Sequence, residues 1–108
     1  MPVHVRSAIY EASSVWVSAV SAYEIRLKHR LGKLPEAGLL VSDFAGWMGR
    51  ENFRSLAVEI GHAFAAAGYD QAHRDPFDRM LIAQALLEDL VIVSNDTAFD
   101  AFGVNRIW

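Results

Sequence analysis

One stretch of this chain restricts its fold more than any other: His73-Arg74-Asp75-Pro76-Phe77-Asp78-Arg79-Met80-Leu81-Ile82-Ala83-Gln84-Ala85-Leu86. Asp75 before Pro76 is a natural N-cap with proline at the first helical position, so a helix is expected to open there and end near Asp89. At about 100° per residue, Asp78 shares a face with Leu81, Ile82 and Ala85. A carboxylate on a core-facing stripe is costly unless a cation or a hydrogen-bond donor meets it. Leu90-Val91-Ile92-Val93-Ser94 follows directly. Such a continuous apolar run is expected of a strand buried on both faces of a parallel sheet.

The rest of the chain alternates in the same way. A short helix is predicted from about Pro2 to Ala12, then a buried strand at Val15-Trp16-Val17. Ser18 or Ser21 caps a helix that runs to about Leu31, where Gly32 stops it. Leu39 to Gly49 reads as one helical stretch, with Leu39, Leu40, Phe44 and Trp47/Met48 on one side. Phe53 to Ile60 alternates, with Leu56, Val58 and Ile60 on one face, and is a strand candidate. Gly61 to Gly68 is a short alanine-rich helix. Asp96 to Phe102 makes another, and Val104 to Trp108 a last strand. Strands alternating with helices predict an α/β sandwich with a central parallel sheet. With 108 residues, 53% of them hydrophobic, residues 1–108 are expected to form a single domain with an ample core.

The formal net charge of −3 argues against a generic nucleic-acid coat, which would be basic. It does not exclude an enzyme acting on nucleic acid, because a carboxylate-rich metal site is acidic where it works. The chain has no cysteine, which removes disulfides and thiolate zinc sites and fits a reducing cytoplasm. No signal-peptide core follows the first residues, and no apolar run approaches the roughly 18 residues of a membrane span. A soluble, cytoplasmic protein without a membrane partner is expected.

Three acids occupy equivalent places. Glu24 lies in the first turns of the helix after strand Val15–Val17, on a face with Val20, Leu27 and Leu31. Asp78 lies in the first turn of its own helix. Asp96 follows the run Leu90–Ser94. In a parallel α/β sheet, helix N-termini and strand C-termini share an edge, and ligands bind there. Carboxylates gathered at that edge repel one another unless a cation sits among them. Oxygen-only ligands favour Mg²⁺ or Mn²⁺ over zinc, and such ions activate water for phosphodiester cleavage. Each acid also has a purely structural reading. Ser21 and Glu24 form a capping-box pattern, Asp75 and Asp78 suit a helix N-terminus, and Asp96 is a candidate cap.

Other residues carry weaker signals. Arg26, Lys28, Arg30 and Lys33 are a solvated helix face or a phosphate-contacting rim. Arg74 and Arg79 flank the acidic motif and either contact phosphate or pair with Asp75 and Glu88. His4, His29, His62 and His73 show no metal-ligand spacing; His29 reads as surface and His73 as a loop residue near the acids. Trp16, Trp47 and Trp108 read as core.

With these residues in view, the chain resembles the PIN-domain ribonuclease toxins of the VapC type, from bacterial VapBC toxin–antitoxin systems. The matching segments are Val17-Ser18-Ala19-Val20-Ser21-Ala22-Tyr23-Glu24-Ile25, Lys28-His29-Arg30-Leu31-Gly32-Lys33-Leu34, the block from His73 to Arg79 with Leu81-Ile82-Ala83-Gln84-Ala85, and Val93-Ser94-Asn95-Asp96 with Phe99. The terminal Ile107-Trp108 also matches, so the likeness extends over the chain from about Arg6. The resemblance implies a PIN-like α/β/α sandwich and a Mg²⁺- or Mn²⁺-dependent endoribonuclease of a type II toxin–antitoxin system. It implies a cognate antitoxin and a homodimer as partners, and structured RNA as substrate. By motif, Glu24, Asp78 and Asp96 match catalytic, metal-holding acids, and Asp75 matches a frequent neighbouring acid. Arg26, Lys28 and Arg79 are the candidate RNA contacts.

The sequence departs from the family pattern at one place. The family opens on a β-strand ending in Asp, commonly in a Leu-Asp-Thr-His-like run, and Met1-Pro2-Val3-His4-Val5 does not match it. The expectation is therefore an N-terminally short domain whose first strand is missing, with catalysis weakened or absent and the sheet gap healed by self-association. Two further readings remain: a non-catalytic PIN remnant that binds an antitoxin or itself, and a structural α/β domain whose acids are caps.

Overall fold

The computed structural model describes residues 1–73 and 75–108. In chain order the elements are α1 (Val3–Glu11), β1 (Trp16–Ser18), α2 (Ala19–Arg30), α3 (Gly38–Ser42), α4 (Phe44–Arg50), β2 (Arg54–Leu56), α5 (Ile60–Gly68), α6 (Pro76–Glu88), β3 (Ile92–Val93) and β4 (Arg106–Ile107), with 3-10 turns at Pro35–Ala37 and Thr97–Phe102. Helices and strands alternate and the strands pair parallel, so the chain is a mixed α/β protein. It divides into two compact units, Ser13–Ala57 and Met1–Ala12 with Val58–Trp108. Arg74 lies outside the described residues. None of the helices described is long and apolar enough to cross a membrane.

In the unit Ser13–Ala57, β1 pairs with β2, Trp16 opposite Arg54 and Ser18 opposite Leu56. Trp16 is 39% exposed, not core as expected. Its ring lies under the Arg54 guanidinium at 5.5 Å, a use of the indole face that a short, half-covered strand allows. Ser18 ends the strand and caps α2: its hydroxyl accepts the Val20 N–H at 3.1 Å. Ser21 is therefore already inside the helix, and the capping box read with Glu24 does not form. Lys28 and Arg30 stand in the last turn of α2, where cations suit the helix dipole. Gly32 follows at φ +75°, a left-handed conformation that needs no Cβ.

The stretch expected as one helix from Leu39 to Gly49 is two, α3 and α4. Asp43 breaks it. Its carboxylate accepts the Gly46 N–H at 3.2 Å and Arg50 Nη1 at 3.4 Å, so the side chain caps a new helix instead of continuing the old one. Leu39, expected on the inner side of that stretch, is 89% exposed. Phe44, Trp47 and Phe53 form an aromatic chain with centroids 5.4 and 5.3 Å apart.

In the other unit, α5 packs on α6. Ile82, Phe99 and Phe102 form the core, with Tyr69, Leu81, Ile92 and Val104 against it. The predicted strand Phe53–Ile60 shrinks to Arg54–Leu56 because Ile60 already opens α5. Glu59 and His62 make a reciprocal cap there: the Glu59 N–H donates to His62 Nδ1 at 2.9 Å. With Nδ1 accepting, Nε2 carries the proton and donates to Glu88 Oε1 at 2.9 Å on α6. Helix α6 starts and stops as expected, closing on Asp89 at φ 54°, a left-handed position that Asp tolerates.

Strand β3 covers only Ile92–Val93, and it is not buried on both faces. Val91 is 53% and Val93 41% exposed. Among the described residues β3 pairs with β4 alone, Ile92 opposite Arg106 and Val93 opposite Ile107. A two-stranded sheet leaves the outer edge of each strand and part of each face open. Trp108, expected in the core, follows β4 and is 41% exposed.

Candidate functional site

The N-terminus of α6 gathers the acidic motif. Asp75 caps the helix, and its Oδ1 accepts the N–H groups of Phe77 at 2.9 Å and Asp78 at 3.3 Å. Asp78 sits one turn inside, half-buried on the apolar face as its spacing predicts. Its Oδ2 meets His73 Nε2 at 2.9 Å. An ionised carboxylate only accepts, so the imidazole donates. A donor, and not only a cation, therefore satisfies the acid that the sequence placed on that stripe. Asp75 and Asp78 each offer a carboxylate oxygen within 4.8 Å of the other's. Carboxylate oxygens this close could together hold a metal ion.

Asp96 takes the place read for it, beyond β3. Its carboxylate caps the 3-10 turn by accepting the Ala98 N–H at 2.9 Å, and its own N–H donates to Ser94 Oγ at 3.1 Å. Among the described residues no group of three acids joins Asp96 to Asp75 and Asp78 at the 4.8 Å spacing. Glu24 belongs to the other unit. It lies half-buried in the second turn of α2, beyond the end that Ser18 caps.

The basic residues divide. Arg26 and Lys28 are exposed on α2, as are Arg30 and Lys33 beyond them, so their charges face water. Arg79 is different. Its Nε donates to the Ala66 carbonyl at 2.8 Å, Nη1 to those of Gln71 at 2.8 Å and His73 at 3.1 Å, and Nη2 to that of Tyr69 at 2.5 Å. The guanidinium ties residues 66–73 to α6, and a phosphate would have to displace those bonds to reach it.

Arg106 makes a two-pronged pair with Asp100, Nε to Oδ1 at 2.8 Å and Nη2 to Oδ2 at 2.9 Å, while Nη1 donates to the Ser94 carbonyl at 3.1 Å. This hydrogen bond holds the Asp100 carboxyl below its ordinary value of 3.8. Because the folded value is depressed, the contribution is present above 3.8 and is lost as pH falls through the lower folded value. Asp100→Asn is expected to lower stability near neutral pH and to match wild type in strong acid. Urea titrations at several pH values check this; an equal offset at every pH contradicts it.

The hydrogen bond from His73 to Asp78 is the part of the site that the sequence did not disclose. Its signal was only that a histidine stands shortly before the acids; the bond depends on how the loop before α6 turns.

Two comparisons with known proteins bear on this arrangement. A family model described as PIN domain matches residues 2–105. No curated protein matches the chain significantly.

Proposed function

Because the chain belongs to the PIN domain family, whose members are typically metal-dependent nucleases, we propose that it is a Mg²⁺- or Mn²⁺-dependent endoribonuclease, the toxin of a type II toxin–antitoxin pair. Residues 1–108 act as one PIN-like domain in this reading, and the cytoplasm is its compartment. The family match over residues 2–105 carries it. The oxygen-only pair Asp75 and Asp78 at the head of α6 supports it.

In this reading Glu24, Asp78 and Asp96 hold the ion, with Asp75 as an additional acid. An ion held by them would supply the charge that lowers the pKa of an attacking water and offsets the negative charge of the phosphoryl transition state. Water adds to phosphorus, and the bond to the leaving sugar oxygen breaks. Asp75 and Asp78 also keep a local negative potential that rejects RNA phosphates until a cation neutralises it. Arg26 and Lys28 offer exposed positive charge to the backbone, so binding weakens with salt. Arg79 serves the site through the loop it anchors more than through phosphate.

An apolar stripe supports the partner half of the proposal. Ile60 and Phe64, one turn apart on α5, are 89% and 85% exposed. Large apolar side chains left together in water mark a protein interface, here for an antitoxin or a second copy. The same stripe favours the alternative, a non-catalytic PIN remnant that acts as a binding module.

Cleavage of structured RNA decides between them. The purified chain is expected to cut RNA with millimolar Mn²⁺ or Mg²⁺ and to stop on addition of EDTA. No cleavage, together with no heat on titration with Mn²⁺, leaves only the binding module.

A further inference from the structure

His73 joins the loop before α6 to the acidic motif at the head of that helix. Its Nε2 meets Asp78 Oδ2 at 2.9 Å, and the two side chains are only 25% and 19% exposed. One contact of the ring and two of the backbone hold the residue there. Its edge-to-face partner is Phe102, with centroids 6.0 Å apart. The His73 N–H donates to the Gln71 carbonyl at 2.9 Å. The His73 carbonyl in turn accepts from Arg79 Nη1 at 3.1 Å. Arg79 lies directly after Asp78 in the same helix, so the residue that anchors the loop is covalently tied to the residue the loop addresses.

We propose that His73 is a positioning residue for the metal site: its Nε2–H holds one oxygen of Asp78 and leaves the second as the one that meets a cation. The inference rests on the metal-nuclease reading above and adds to it a residue outside the ligand set. The physical argument concerns freedom. The torsion that turns an aspartate carboxylate is broad and roughly two-fold, so its oxygens are free to reorient unless something fixes one of them. A fixed oxygen is one that a cation need not order on binding. Hydrogen-bond partners of metal ligands contribute a factor of about 10–100 to metal affinity when they act in this way. The edge-to-face contact with Phe102 makes the donor stiff, which a water in the same place would not be.

Isothermal titration calorimetry with MnCl₂ alone tests it, beside thermal melts in EDTA. His73→Phe keeps an aromatic ring against Phe102 and removes the donor. It is expected to weaken Mn²⁺ binding about 10–100-fold. His73→Gln restores a donor and is expected to recover most of the affinity. In cleavage assays the Mn²⁺ concentration giving half-maximal rate rises in His73→Phe, while the rate at saturating Mn²⁺ stays close to wild type. If His73→Phe does not fold, His73→Asn, whose shorter amide falls short of Asp78, is titrated with the same expectation. Wild-type affinity in a folded donorless variant overturns the inference and leaves the metal site standing, whatever the melts show. Absence of Mn²⁺ binding by the wild-type chain overturns the metal-nuclease reading and this inference with it.

Discussion

Asp78→Asn is expected to lower Mn²⁺-dependent RNA cleavage about 10³-fold, the kinetic equivalent of losing several kcal/mol of transition-state charge stabilisation. Asparagine has nearly the shape of aspartate. Its amide oxygen still accepts from His73, so the loop before α6 keeps its anchor on the helix. What disappears is the negative charge, and with it the attraction for a divalent cation. The same variant separates a metal site from a helix cap. A cap that loses its charge destabilises the protein, because an acid in the first turn favours the helix dipole by about 0.3–1 kcal/mol. An acid crowded by Asp75, with oxygens within 4.8 Å, is also relieved of repulsion when it is neutralised. These effects oppose each other, so the metal-free variant is expected to melt within a few degrees of wild type. Cleavage assays and melts in EDTA, run side by side, give both readouts. Wild-type cleavage by Asp78→Asn would remove this residue from the ligand set; a large loss of metal-free stability would return it to a purely structural role.

Arg79→Met is expected to cost about 3 kcal/mol of stability, because one side chain serves four backbone acceptors. Methionine preserves the stem and the volume along α6 but leaves the carbonyls of Ala66, Tyr69, Gln71 and His73 without the guanidinium they share. Bonds to a charged donor are each worth more than neutral ones, and buried acceptors left without a partner carry a desolvation penalty. The sum is less than four separate bonds because the carbonyls are partly open to water. Arg79→Lys tests the geometry. A single ammonium on a flexible stem cannot present a planar fork to four acceptors, so lysine recovers only part of the loss. The Arg79 guanidinium also lies 5.9 Å from the Phe102 ring, so both variants are expected to loosen the core around Phe99 and Phe102. Urea unfolding measures the stability. A loss below about 1 kcal/mol in Arg79→Met, the range of an ordinary surface charge, contradicts this account.

The course of α6 was readable from the letters alone. Asp75-Pro76 carries its start in the chemistry of two side chains, and the spacing of Asp78, Leu81, Ile82 and Ala85 carries its buried face. The end of α2 was equally readable, since Gly32 is the residue for which the left-handed turn costs least. Periodicity misled where a local bond competed with it. Asp43 looked like a polar position on a helix and turned out to cap a second one, and Ser18 took the capping role that Ser21 also fitted. It misled again at Val91 and Val93, where an apolar run was read as a doubly covered strand. An apolar sequence states what burial would be favourable, not whether enough neighbouring strands exist to supply it.

The candidate site divides along the same line. That Asp78 would stand on an apolar face, and that a partner must meet it, follows from a 3.6-residue repeat and the desolvation of a carboxylate; both are properties of the chain itself. That the partner is His73, and that Arg79 holds the loop bearing it, was decided only in three dimensions. The path of residues 66–73 depends on carbonyl groups, which every residue carries and which no letter of the sequence distinguishes. Side-chain identity therefore set the demand, and backbone geometry chose which group answered it.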